Sequence, residues 1–323
     1  MAKRKGCYSG IGGQAVLEGV MMKNGDKYAV AVRKPDGEIG IEVDSYPGVM
    51  AGSRVKKIPF VRGVFNFIDS LILGTRCLNF SASFYEEEEE ESGLDKALNK
   101  VSRGNAEKVL TTIVTVFSVI LAVGIFIVLP YFLSGLLKGY IRNESLMAIL
   151  EGVIRIVIFL VYILAISLMK DIRRLFMYHG AEHKCINCIE HGMDLTVENV
   201  RKSSRLHKRC GTSFLLIVML ISILVFMMIR VDSPVLRLLL RLLLIPVIAG
   251  VSYEFIRLAG RSDNGLVNLL SKPGLLLQKI TTREPEDAMI EVGIASVEAV
   301  FDWRAYVNEM NQSGEGGVIA GEK

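Results

Sequence analysis

From Val109 to about Leu136 the chain reads VLTTIVTVFSVILAVGIFIVLPYFLSGL, without a single charged side chain. A bilayer core about 30 Å thick takes roughly 20 apolar residues as a helix, and in hydrocarbon only a helix or a closed barrel satisfies every backbone N–H and C=O. This run predicts a membrane-spanning helix, and so constrains the fold more than any other feature. A second unbroken run, Thr212 to Ile229, predicts another span. Two further runs are interrupted by charge: Ala148–Met169 carries Glu151 and Arg155, and Pro234–Ser252 carries Arg237 and Arg241. Four spans are expected. The composition agrees: 51% of residues are hydrophobic while 22% are charged, a combination that suits greasy spans joined by polar loops better than a soluble globule.

The loops set the orientation. Lys170–Cys210 holds nine Lys or Arg, against three (Lys138, Arg142, Arg230) in the connections on the opposite side. By the positive-inside rule, the central loop and both termini face the cytoplasm. The N-terminal stretch offers basic residues but no apolar core behind them, so no signal peptide is expected. The net charge of +4 is accounted for by basic loops beside anionic lipid and calls for no nucleic acid.

Four regions follow. Residues 1–57 form a small β-rich cytoplasmic element, in which KYAVAVRKPDGEIGIEV alternates apolar residues on both sides of a Pro35-Asp36-Gly37 turn. Residues 58–108 comprise an amphipathic helix, with Phe60, Val61, Val64, Phe65, Ile68, Leu71 and Ile72 at helical spacing, and the solvated acidic linker Glu86–Glu91. Residues 109–260 are the four-span region, with a His/Cys-rich cytoplasmic loop at 170–210. Residues 261–323 are a cytoplasmic tail whose end, NQSGEGGVIAGEK, reads as disordered. The fold class expected is a mainly α integral membrane protein with a small N-terminal β element.

All four histidines, His179, His183, His191 and His207, fall within 29 residues, together with Cys185 and Cys188, and Cys210 follows three residues later. In a reducing compartment such cysteines point to metal or redox roles rather than disulfides. If the second span runs on past Lys170, His179 lies about 14 Å beyond it, at the cytoplasmic membrane surface. His179 and His183 stand four apart, about 40° around a helix, so both imidazoles can grip one ion. Glu182 shares that face. His-x-x-Glu-His is the inverted zinc-protease order, in which two histidines hold the metal and the glutamate takes a proton from water. On the same helix Cys185 and Cys188 would point about 240° and 180° away from His179, so they are not expected on that ion. His207 and Cys210, three apart before the third span, form the expected second helix-borne pair. The expected metal ligands are therefore His179, His183, His207 and Cys210, with Glu254 of VSYEFIR a further candidate at the same membrane level. The expected cofactor is a divalent metal, zinc.

GIGGQAVLEGVMMK lacks Walker and dinucleotide spacings and reads as a tight turn presenting Gln14 and Glu18. Glu18 is a candidate to complete the metal site or to act as a second acid, its ordinary alternative being a salt bridge to a basic loop; for Glu254 the ordinary alternative is pairing with Arg257. Glu151, Arg155, Arg237 and Arg241 map to the outer half of the bilayer, where Glu151 is the natural partner and snorkelling the ordinary solution.

GGQAVLEGVMMK, YHGAEHK, LTVENVRKSSRLHKRCGTSF, SYEFIRLAG and PGLLLQKITTREP together resemble the YqhQ-like bacterial membrane proteins, domain of unknown function 1385, over about residues 10 to 295. The resemblance implies a metal-dependent enzyme without an assigned substrate. It places the family's motif positions on Glu18, His179, Glu182, His183, His207 and Cys210, and leaves out Cys185, Cys188 and His191. Lys208 stands where the family commonly has proline.

Two functions of different class follow. The first is a metal-dependent hydrolase at the cytoplasmic membrane interface, with Glu182 as general base, Glu18 assisting, and a lipid-linked or interfacial substrate. The second is a non-enzymatic membrane scaffold whose zinc ties the central loop to the bundle. A metal transporter is disfavoured, because no span carries acidic or histidine residues through its middle.

Overall fold

A computed structural model of the protein describes residues 8–85, 106–141, 143–229, 231, 233–260 and 264–313. The acidic run Glu86–Glu91 and the last ten residues lie outside that set.

Four antiparallel strands open the chain in simple meander order: β1 (Gly12–Val16), β2 (Gly19–Asn24), β3 (Lys27–Arg33) and β4 (Ile39–Ser45). The expected hairpin is β3–β4, with Lys27 opposite Ser45 and Arg33 opposite Ile39. Its turn closes through Gly37, whose N–H donates to the Lys34 carbonyl at 2.9 Å and whose φ of 89° favours glycine. Strand alternation sends Tyr28, Val30 and Val32 to one face, where they join Val16, Met21, Leu73 and Cys77. Ala31, with Val20 and Met22 of β2, enters the opposite face and the main core. The sheet is thus covered on both sides, which is why β2 reads as the continuous apolar run Gly-Val-Met-Met.

The helices follow: α1 (Val61–Ala82), α2 (Ala106–Val123), α3 (Leu129–Gly135), α4 (Glu144–Ile166), α5 (Lys170–Glu190), α6 (Val197–Lys202), α7 (Gly211–Met227), α8 (Pro234–Ala259), α9 (Gly265–Thr281), α10 (Asp287–Val300) and α11 (Trp303–Ser313). A π-helical turn, Gly124–Val128, joins α2 to α3. Asn143 caps α4 by accepting from the Ser145 and Leu146 N–H groups, and Ser233 with Pro234 starts α8.

Three segments are long and apolar enough to cross a membrane: Thr112–Gly135, Ser145–Ile166 and Val235–Ala259. The expected third span is the apolar helix α7, shorter at 17 residues. Helix α1 forms as expected, but Leu73 and Cys77 are its buried apolar contacts, while Phe67, Ile68, Leu71 and Ile72 stay exposed.

Three expectations are corrected. The second apolar helix does not run on past Lys170: it ends at Ile166, and α5 restarts after an extended Met169. The His/Cys-rich segment is mostly helix, α5 and α6, rather than loop. The C-terminal part is no loose tail, since α9 packs on α7, and α10 packs on β2, β3 and α5. The main core gathers Tyr178, Ala181, Cys185, Cys188 and Ile189 of α5 with Met289, Ile290, Val292 and Val297 of α10.

Candidate metal centre

Helix α5 positions the first two donors. From Tyr178 to Glu190 every residue except His179 is buried, with α10 and the sheet packed around the helix. Two glycines permit this closeness. A Cβ on Gly180 would collide with the Arg283 carbonyl oxygen, and one on Gly13 of β1 would lie 2.8 Å from Glu182 Cγ.

The spacing His-x-x-x-His places both imidazoles on one side of α5, their centroids 4.4 Å apart. Each ring is tethered through Nδ1. His179 Nδ1 donates to the Thr281 carbonyl at 2.9 Å, and His183 Nδ1 donates to the Arg205 carbonyl at 2.6 Å. A carbonyl can only accept, so Nδ1 carries the proton in both rings. Each Nε2 is left as the ligating atom, the arrangement that backbone acceptors impose on metal-binding histidines.

The third donor arrives from the far end of the segment. Cys210 caps α7, its Sγ accepting from the Thr212 N–H, and Sγ lies 3.2 Å from His179 Nε2. His179, His183 and Cys210 thus offer donor atoms all within 4.8 Å of one another, a group that could hold a metal ion. Burial opposes ionisation of Cys210, but the two histidines, by charge and hydrogen bond, hold the thiol well below its ordinary value. Burial likewise opposes charge on His179, yet the Cys210 sulfur and Glu182 raise the imidazole to about 9.

Residues 203–210 are held against α5 by its own side chains. The Lys184 ammonium donates to the Arg201 and Ser203 carbonyls, and the Asn187 amide donates to those of Ser204 and Leu206. Gln278 of α9 grips His207 from the other side, accepting from its N–H at 2.8 Å and donating to its carbonyl at 2.7 Å.

Glu182 is buried beside the three donors and makes no hydrogen bond or ion pair to the described residues; burial raises its pKa, against the pull of His183 and His179. His207 and Cys210 are not a helix-borne pair as expected, because 203–210 is not helical and Cys210 is already the cap of α7. The His207 ring lies 5.7 Å from that of His183, with Nε2 turned to Glu190 at 3.4 Å. Burial keeps His207 neutral, its pKa lowered despite that carboxylate. Burial pushes Glu190 up, but the His207 hydrogen bond and Arg209 bring it to about 2. Glu190 also accepts from the Ser9 N–H and hydroxyl, tying down the start of the chain.

Glu254 accepts from both sides of the Arg62 guanidinium and from the Phe60 N–H, with Arg257 at 3.9 Å, and is not among the converging donors. Glu18, at the β1–β2 turn with φ of 48°, receives two hydrogen bonds from Arg174 and one from the Tyr178 hydroxyl. For both glutamates the ion pair named as the ordinary alternative is present, though the main partners are arginines of α5 and α1. Cys185 and Cys188 are free and packed in the main core, where burial raises both thiols. Glu190, Gln278 and Thr281 had no role in the sequence. Gln278 and Thr281 lie in PGLLLQKITTREP, a segment quoted only for the family resemblance.

Residues 58–303 match the family described as "Protein of unknown function (DUF1385)". The chain belongs to that family. The matched span contains α5, Cys210 and Thr281, and leaves Glu18 and the sheet outside it. A Bacillus subtilis (strain 168) relative, "Uncharacterized protein YqhQ", is 36% identical over 309 residues, 95% of this chain and 97% of that protein. No solved structure matches the chain.

Proposed function

We propose that this family member is a zinc-dependent hydrolase of the bacterial cytoplasmic membrane, with four spans, cytoplasmic termini, and its metal centre at the inner interface. The observation that carries this reading is three converging donors beside a buried carboxylate that nothing else in the described protein engages.

The donor chemistry fits zinc: two imidazole nitrogens and a thiolate are the borderline-soft set that zinc favours. Three protein donors leave a fourth position open, as in catalytic zinc sites, whereas structural sites are closed by a fourth protein ligand. His207, expected from the sequence as a further ligand, is directed at Glu190 instead. An ion held there would supply Lewis acidity toward water and a substrate carbonyl or phosphoryl group. Glu182, buried beside the donors, would accept a proton from that water as general base. The Thr281 and Arg205 carbonyls hold the imidazoles in register. Glu18 serves as a positioning residue, fixing α5 to the sheet through Arg174 and Tyr178.

The membrane reading is supported by side chains that water would not tolerate in such number: Ile113, Val116, Phe117 and Ile120 of α2 are all more than half exposed. The outward apolar row of α1 and the exposed Leu266, Leu269, Leu270 and Leu276 of α9 suit the inner leaflet, which favours a lipid-linked or interfacial substrate.

Cobalt-substituted protein tests the open position. A hydroxamate or azide should change its visible absorption, and Glu182→Gln should keep the cobalt spectrum while abolishing hydrolysis. A spectrum indifferent to added ligands would favour a closed zinc site in a scaffold.

A further inference from the structure

The apolar helices carry a second constellation, independent of the metal centre and resting on the membrane reading alone. Glu151 of α4 lies seven residues in from Glu144, and Arg241 of α8 seven in from Pro234, so both sit about 10 Å along their axes, at one level of the bilayer's outer half. Arg155 is one turn deeper. All three are buried within the protein, Glu151 at 3%, Arg155 at 6% and Arg241 at 5% exposure.

Arg155 donates to Glu151 at 2.9 Å and to the Ser222 hydroxyl of α7 at 2.9 Å. Arg241 places one Nη on both oxygens of Glu151 at 2.5 Å. The guanidinium carbons lie 5.2 Å and 5.0 Å from the Phe226 ring centroid, and Tyr131 of α3 stacks on Arg241 at 5.1 Å. Four helices meet here, so the arginines do not snorkel as the sequence suggested.

The charge does not close. Among the described residues two guanidinium groups share one carboxylate, which leaves a positive charge in a low-dielectric interior. Among the described residues, the Nε–H groups of both arginines are buried without an acceptor. Aromatic faces can receive the planes of these cations but not the N–H groups at their edges. An anionic oxygen acceptor answers both deficits, and arginine pairs matched to a planar fork of oxygens are the usual means of binding phosphate.

We propose that Arg155 and Arg241 form an intramembrane site for a phosphate group, with Glu151 as the internal counter-charge that the phosphate supplements. The phosphate could belong to an anionic phospholipid or be free in solution, and the same measurement separates the two. Full-length protein is purified in a zwitterionic detergent, and its Tm is followed as phosphatidylglycerol, phosphatidylcholine or inorganic phosphate is added. Phosphatidylglycerol is expected to raise Tm above the phosphatidylcholine value, and Arg241→Gln to lose that difference. An equal rise with inorganic phosphate would support the same site filled from solution. Glu151→Gln provides a second arm should the arginine variant fail to fold. It deepens the electropositive deficit, so it should be less stable in phosphatidylcholine and be rescued by the anion more than wild type is. No anion response in wild type, a response undiminished in Arg241→Gln, or a Glu151→Gln deficit of the same size in every additive would overturn the proposal.

Discussion

At the scale of single residues, what holds the centre together is an absent side chain. Gly180 lets α5 touch the backbone of Arg283, two residues from the carbonyl that orients His179. Alanine gains roughly 1 kcal/mol over glycine in a helix. Here that gain is outweighed, because the added methyl meets a backbone oxygen that cannot rotate away, and overpacking of this kind costs about 1–3 kcal/mol. Gly180→Ala should therefore lower the stability of metal-free protein in denaturant titrations and weaken metal retention; a neutral or stabilising effect would show that the helix and the 282–285 segment are less tightly joined. The residue scale was also where the sequence was most legible. His179, Glu182 and His183 share a helix face, and Cys185 and Cys188 point elsewhere, because 3.6-residue periodicity is local. His207 was misjudged for the opposite reason: its direction is decided by Glu190 and Gln278, 17 and 71 residues away, which no spacing rule reveals.

At the scale of elements, the charged lock of Glu190, neutral His207 and Arg209 joins the end of α5 to the approach to α7 and to the first described residues of the chain. The sign of its pH dependence follows from Glu190, which falls from an ordinary 4.5 to about 2 in the fold. A depressed carboxylate contributes stability that is complete above its unfolded pKa and is lost as pH falls toward its folded one. The contribution, on the order of 3 kcal/mol, should be lost progressively as pH falls from about 4.5 through about 2. Denaturant titrations of wild type and Glu190→Gln over that range should converge at the acid end, and a constant difference between them would refute the assignment. The β3–β4 hairpin and α1 were visible from alternation and helical spacing. The break at Ser167–Met169 was not, since apolar residues continue across it and only the extended Met169 separates the helices. Nor was the docking of α10 on the sheet, whose partners lie more than 250 residues away in sequence.

At the scale of the whole molecule, the apolar runs and the asymmetry of Lys and Arg together predict a topology. That topology would put Tyr140, at the turn after α3, on the outer side, and Glu284, paired with Lys184 and Arg205, on the cytoplasmic side. A membrane-impermeant maleimide should label Tyr140→Cys in intact cells, and Glu284→Cys only after permeabilisation; the reverse pattern would invert the molecule. The chain's four described native cysteines are buried and should give little background. This architecture places a sulfur from the start of one apolar helix against two imidazoles from a helix that follows another, so the group comes together only when those elements pack. Metal content of the detergent-purified protein tests that convergence most directly. Wild type should hold one zinc per chain, lost on His179→Ala and equally on Cys210→Ala although the two residues lie on different elements; a protein that takes up no metal under any loading condition, or that keeps its zinc in both variants, would contradict a shared ion.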